Sequence, residues 1–200
     1  MLITHIGATV NTRTIALIII FTALAVALNP VGIPSVFLPG WYFRFWEIPI
    51  AIAFFLLGLK GGVAVALLRT LAELTLFPGP TIFLGPSTAL LGTLVMLLGL
   101  YAADKLLKRK VSRNENLGRK PIAYFTALGT ISRMAFSPIA TYLLYGLLLP
   151  MIGFIIPEPA IIALIPFVLL FDLILSLITI PPSYLIAKIV SRNLKVGNPL

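Results

Sequence analysis

Four charged side chains lie in stretches that are otherwise almost entirely apolar. Arg69 and Glu73 are four residues apart, Arg133 lies near the middle of one long apolar segment, and Asp172 lies within another. An ionised arginine near the centre of a bilayer costs on the order of 3 kcal/mol, so it faces the interior of a helical bundle and has a partner there. We therefore expect these residues to pair with one another, beginning with Arg69 and Glu73 on one helix face, or to hold a bound anion.

A second cluster of polar and aromatic side chains follows the first apolar stretch. Residues 29–45 contain three prolines and two glycines, which exclude a continuous helix and predict an external loop. The loop is apolar, so it either lies on the membrane interface or folds over a cavity. Arg44 stands among Trp41, Tyr42 and Trp46, an arrangement typical of stacking and anion binding.

The sequence lacks the residues and motifs that metal binding, thiol chemistry and several kinds of catalysis require. The chain has one histidine, His5, and no cysteine, so no metal centre and no thiol chemistry are expected. Motifs for a phosphate-binding loop, a serine nucleophile elbow or a zinc protease are absent from the sequence. We expect neither an enzyme nor a cofactor. If the protein moves a solute against a gradient, an ion or a partner must supply the energy.

Composition identifies the elements that must position these residues. Apolar residues make up 60% of the chain and charged residues 10%, and the mean hydropathy is +1.09. A soluble domain has about a quarter of its residues charged, so this is an all-α, polytopic membrane protein forming one transmembrane domain over residues 1–200. The apolar stretches predict six spans, at residues 13–28, 47–60, 62–77, 87–107, 121–149 and 160–180.

The basic residues predict the orientation of these spans. The formal net charge is +9, and 12 of the 15 lysines and arginines fall in segments that the six-span arrangement places on one side. Basic loops mark the cytosolic face, so both termini are expected in the cytosol and the protein in the cell membrane. Nucleic acid is not an expected partner, because no aromatic residues alternate with the basic ones.

Glycine and proline mark the predicted ends of two spans. Trp46 and Pro49 mark the start of the second span. Gly61 and Gly62 are expected to reverse the chain into the third span. Pro181 and Pro182 are expected to end the sixth span. An amphipathic tail over residues 183–195 would then lie on the inner membrane surface.

The first span offers a surface for close helix contact. Ala16, Ala23 and Ala27 form a stripe of small residues, and the last two lie one turn apart. This stripe favours a retained helix that packs within the protein or against another one. A cleaved signal peptide is the alternative, since residues 25–27 have the small-x-small form of a cleavage site.

The segment from Trp46 to Gly62 carries a family resemblance. Glu47, Pro49, Gly58, Lys60 and Gly62 match the pattern of an acidic residue, a hydrophobic residue, proline and an apolar run ending Gly-x-Lys/Arg-x-Gly. Together with six spans in 200 residues and a long apolar first loop, the sequence resembles the substrate-binding S-components of energy-coupling factor (ECF) transporters. The motifs cover about 30 residues and the layout covers the whole chain.

The resemblance implies a subunit that captures a vitamin or related micronutrient from the outer side. It also implies that the face of Ala16, Ala23 and Ala27 docks on a transmembrane coupling subunit, with two cytosolic ATPases supplying energy. The substrate site would then comprise Trp41, Arg44 and Trp46 as a lid, Arg69, Glu73, Arg133 and Asp172 as a polar floor, and Tyr142 as a wall. Arginines with aromatic rings would suit a flat ring bearing a carboxylate or phosphate.

Three other functions remain open on the sequence. An ion-coupled secondary transporter would use Glu73 or Asp172 as its titrating group. A membrane scaffold for envelope assembly would use the helix faces only for partners. An intramembrane enzyme would depend on the same two carboxylates.

Overall fold

A computed structural model describes residues 12–38, 40–76, 84–111, 120–151, 153 and 155–194. Its helices are α1 (Thr12–Ala27), α2 (Glu47–Leu76), α3 (Leu84–Val111), α4 (Lys120–Tyr142), α5 (Leu149–Met151) and α6 (Glu158–Leu194). A π-helix, Leu143–Leu148, joins α4 to α5 without a break. The prediction of a helical protein is therefore correct, apart from one small hairpin of two strands.

That hairpin occupies the predicted loop between the first two spans. Strands β1 (Gly32–Pro34) and β2 (Tyr42–Arg44) pair antiparallel, with Gly32 opposite Arg44 and Pro34 opposite Tyr42. Phe43 stacks on Phe171 of α6 with ring centroids 4.5 Å apart, and Trp41 meets the same ring edge-on at 5.1 Å. A small hydrophobic cluster thus fixes the hairpin on α6.

The chain reverses at Gly58 within α2. Gly58 has φ +77° and ψ −171°, a conformation open essentially to glycine alone. The arms on either side, residues 47–57 and 59–76, lie against each other: a Cβ built on Gly62 would come 3.0 Å from Cβ of Phe54. The predicted reversal at Gly61 and Gly62 is wrong by three residues. These two glycines are instead buried where the two arms approach closely.

The sixth predicted span does not end at Pro181. Helix α6 continues through Pro181 and Pro182 to Leu194, so the predicted separate tail at residues 183–195 is wrong over its described part. A proline inside a helix costs about 3 kcal/mol. Packing offsets this cost, because Ser183, Tyr184 and Ala187 are buried in the main core. The Tyr184 ring packs 5.4 Å from that of Phe55.

Four of the described helical segments are long and apolar enough to cross a membrane: α2, α3, α4 through α5, and α6. Helix α1, with 16 residues, is a shorter apolar helix. The main hydrophobic core joins α1, α2, α3, α4 and α6. The chain is a multi-pass membrane protein built as one helical bundle.

Candidate functional site

A cavity of about 730 Å³ lies at one end of the bundle, beneath the hairpin. Its walls come from the hairpin, α2, the start of α3, α4 with the π-helix, and α6. The described basic residues outside the cavity lie toward the ends of their helices opposite it, among them Lys60, Lys108 and Lys188. The cavity therefore lies at the end of the bundle opposite most of the described basic residues.

Arg133 of α4 lies at the centre of the cavity floor. Its Nη1 donates to Oε2 of Glu47 at 2.6 Å, and its Nε donates to Oδ1 of Asp172 at 2.7 Å. The hydroxyl of Ser137, one turn along α4, donates to the other oxygen of Asp172. These four buried residues tie α2, α4 and α6 together. Charged hydrogen bonds of this length, away from water, are among the strongest polar contacts in a protein.

A second buried arginine organises the side of the cavity nearest α1. Nη1 of Arg69 lies 2.6 Å from Oε2 of Glu73, as their spacing along the helix predicts. Nη2 of Arg69 donates to Oδ1 of Asn29, just after α1, at 2.5 Å. The guanidinium also lies 3.7 Å from the ring centroid of Trp46, a close cation–π contact. Arg69 thus joins α1, the start of α2 and its second arm.

Arg44 lies at the rim, where the hairpin meets α2. Its Nη1 is 3.8 Å from Oε1 of Glu73, and 42% of its side chain is exposed. Its guanidinium is 5.9 Å from the ring centroid of Tyr42. An exposed pair at this distance contributes little stability, on the order of 0.5 kcal/mol. The contact between hairpin and α2 at this point is therefore weak and accessible to solvent.

Seven of the eight predicted site residues line the cavity, namely Trp41, Arg44, Trp46, Arg69, Glu73, Arg133 and Asp172. Tyr142 is not among the lining residues; it is half exposed and its hydroxyl is 3.5 Å from Oε1 of Glu158. The lining stripe of α4 runs through Ser137, Thr141 and Tyr145, and Tyr142 lies about 100° around the helix from Thr141. Tyr145 occupies the position expected for Tyr142.

Sequence reasoning left out three polar residues that complete the site. The sequence marks Glu47 as a motif residue and as a carboxylate within or at the edge of the membrane; in the structure it is 1% exposed and pairs with Arg133. Asn29 and Ser137 were not considered as site residues. The sequence does indicate Ser137, because it lies one helical turn after Arg133 and so on the same helix face. Nothing in the sequence indicates Asn29, because its contact with Arg69 spans 40 residues.

The charges of the cavity balance. Three arginines and three carboxylates line it, and each carboxylate has an arginine within 4 Å. Of the arginines that a ligand anion was expected to engage, Arg69 and Arg133 are closely paired, and Arg44 is held only loosely by Glu73. Across the described part of the chain, acidic and histidine side chains form no cluster of three suited to a metal ion.

The small-residue stripe of α1 faces away from the bundle. Ala16, Ala23 and Ala27 are exposed, while Phe21 and Ala25 face the core. Large apolar residues, Ile19 and Ile20 among them, flank the stripe and are more than half exposed. The stripe is therefore not used for packing within this chain.

No family model matches the chain, and no curated protein matches it. A solved structure described as the S component of a bacterial ECF transporter matches with a TM-score of 0.67 at 24% sequence identity. The match covers 92% of this chain and 98% of that one. The chain therefore has the fold of that S component along nearly its whole length, in agreement with the resemblance found in the sequence.

Proposed function

We propose that the protein is the membrane-embedded substrate-capture subunit of an ECF-type importer. It binds a vitamin or related small micronutrient in the cavity and docks on a coupling subunit served by two cytosolic ATPases. The observation that carries the proposal is the cavity itself, which is polar on its floor, aromatic at its mouth and built on an S-component fold. In this role the protein is a binding subunit and not an enzyme.

The proposed topology has six spans, with the two arms of α2 crossing separately. The arm over residues 47–57 is about 16 Å long at 1.5 Å per residue, so the hairpin must complete the outer part of its path. Basic residues lie at the end opposite the cavity, and the positive-inside rule makes that end cytosolic. The cavity then faces the exterior, from which a substrate would arrive.

The exposed stripe of α1 is the proposed docking face. Small residues let two helix backbones approach closely within a membrane, where apolar area alone does not drive association. Ala16, Ala23 and Ala27 offer such a surface, and nothing else in the described chain covers it. Docking here leaves the cavity, formed by the other helices and the hairpin, free for the substrate.

Affinity purification of the tagged chain from its own membranes tests this function. We expect subunits that hydrolyse ATP to co-purify with the wild-type protein and to be lost from Ala27→Trp. Ile15→Trp serves as a control, because Ile15 is also exposed but lies roughly 80–120° around α1 from the stripe. A wild-type preparation without ATPase activity, in which the isolated chain alone drives uptake from a proton gradient, would instead favour an ion-coupled transporter.

A further inference from the structure

We infer that the ligand of this cavity is a small molecule with a flat ring and no net charge, either neutral or zwitterionic. The inference rests on the proposed function and concerns the same cavity. It departs from the expectation of a carboxylate or phosphate, which followed from the presence of arginines in the sequence. The structure shows what those arginines contact.

The charged residues of the lining form two groups of opposite sign. Arg133 lies between Glu47 and Asp172, so this group carries one surplus negative charge. Arg44 and Arg69 both approach Glu73, so that group carries one surplus positive charge. Residues 77–83, which separate α2 from α3 in the sequence, include no ionisable side chain and do not change the sum. The cavity is therefore neutral as a whole and polarised from one side to the other.

An anionic ligand fits this arrangement poorly. At Arg133 it would have to displace Glu47 or Asp172, and that carboxylate would remain buried without a partner. At Arg44, which is 42% exposed and 3.8 Å from Glu73, an anion breaks no close pair, but a ligand with net negative charge leaves the surplus negative charge of Glu47 and Asp172 unmatched. An organic cation meets the converse difficulty at Arg69, which holds Glu73 at 2.6 Å. A neutral or zwitterionic molecule breaks no pair. Its donors can face the acidic group and its acceptors the two arginines.

Aromatic residues of the lining favour a flat ring. Trp41 lies on the hairpin, and Phe136 and Tyr145 lie on α4 and the π-helix. Rings of this kind bind planar ligands by offset stacking or edge-to-face contact. They supply contact area without charge, which suits a ligand selected by shape and hydrogen bonds.

The remaining charge of the protein does not reach the cavity in ordinary buffer. The net charge is +9, but the described basic residues outside the cavity lie toward the opposite end of the bundle. At 0.1 M salt the Debye length is about 10 Å, so these charges are largely screened. A probe inside the cavity therefore senses the six local charges.

Fluorescence quenching tests the inference, since Trp41 and Trp46 are the only tryptophans in the chain and both line the cavity. Iodide, an anion, and caesium, a cation, quench tryptophan on collision. Their quenching constants are measured on the full chain in an uncharged maltoside detergent, each divided by its value for N-acetyltryptophanamide. Trp46 is only 6% exposed, so Trp41 contributes most of the quenching, and we expect an iodide-to-caesium ratio of about one for the neutral cavity.

Single charge changes should shift this ratio in opposite directions. Asp172→Asn should raise the ratio and Arg44→Gln should lower it, each by about two- to fivefold. A shift of this size is expected when one charge a few ångströms from the tryptophan is removed at an intermediate dielectric constant. Glu47→Gln makes the same change as Asp172→Asn and stands in for it if that variant does not fold. The matched controls, Asp104→Asn and Lys108→Gln, alter an exposed pair at the other end and should leave the ratio unchanged.

A wild-type ratio above about five, or no response to either carboxylate change, would overturn the inference. Native mass spectrometry distinguishes an error about the charge of the ligand from an error about the proposed function. An anionic molecule bound one to one would sustain substrate capture and refute the neutral ligand. A bound molecule without net charge would support both.

Discussion

At the scale of single residues, Arg133 holds the floor of the cavity together. Its two carboxylate partners come from different helices, and all three side chains are buried. Replacing Arg133 by alanine leaves two buried carboxylates without a cation. Removal of one partner from such a network costs about 3–5 kcal/mol.

We therefore expect Arg133→Ala to lower the free energy of unfolding by about 3 kcal/mol or more and to weaken ligand binding. Thermal unfolding in detergent and ligand titration measure the two effects. Arg109→Ala, an exposed arginine near the end of α3, should change neither. An Arg133→Ala protein as stable as wild type, with the same ligand affinity, would remove Arg133 from the role assigned to it.

Two neighbouring tyrosines separate lining from non-lining positions. Tyr145 lines the cavity, and Tyr142 is exposed to the outside of the bundle. Tyr145→Ala is expected to weaken ligand binding by about tenfold, the loss of roughly one aromatic contact, and Tyr142→Ala to leave it unchanged. Isothermal titration measures both. Equal losses of affinity would mean that Tyr145 does not face the cavity, or that Tyr142 faces it as well.

Sequence reasoning identified most of the charged floor because charge is rare in a bilayer. Arg69, Arg133 and Asp172 each had to face the interior, whatever the details of the fold. Glu47 was harder to assign, since it precedes an apolar run and equally suits the first turn of a helix. Only the packing of α2 against α4 shows that it pairs with Arg133 across 86 residues.

At the scale of elements, the helical hairpin of α2 depends on one backbone conformation. Gly58 adopts a positive φ in a region that costs other residues on the order of 1–3 kcal/mol. Gly58→Ala should therefore lower stability by about that amount, although no atom would clash with the added Cβ. The midpoint of thermal unfolding measures the effect.

Gly85→Ala is the matched control for Gly58→Ala. Gly85 also has open space around it, but it lies in the first turn of α3 without a positive φ. Alanine there should be neutral or slightly stabilising. If both variants had the same midpoint as wild type, the reversal would not depend on the conformation of Gly58.

The elements that sequence reasoning misplaced are those decided by tertiary packing. Three glycines within five residues all permit a reversal, and nothing local distinguishes Gly58 from Gly61 and Gly62. Pro181 and Pro182 predict a helix end, yet the buried face around Tyr184 keeps α6 continuous. In both cases the residues have the local backbone preference that their types predict, and tertiary packing outweighs it.

Helix α1 carries the prediction for docking. A tryptophan at Ala23 or Ala27 would hold a partner helix several ångströms away without touching the cavity. Ala23→Trp and Ala27→Trp should therefore abolish uptake in cells while purified protein still binds ligand. Loss of uptake and of binding to the same degree would contradict a separate docking face.

At the scale of the whole molecule, the proposed function places capture and energy supply in different proteins. The bundle has a cavity with a floor of paired charged residues and aromatic residues at its mouth, and one exposed face of α1. The sequence contains no phosphate-binding loop motif. In that proposal, the fold and the cavity provide for binding at one end of the bundle. Movement across the membrane requires the partner proposed to dock on α1.

Substrate capture requires, most directly, that the cavity be occupied by a small molecule. Native mass spectrometry of the chain purified from its own membranes should show one small molecule bound per protein, and Arg133→Ala should lose it. The exposed variant Arg109→Ala should retain it. A wild-type protein that carries no molecule, and whose tryptophan fluorescence is unchanged by a concentrated extract of small molecules from the same cells, would contradict the claim that this cavity captures a substrate.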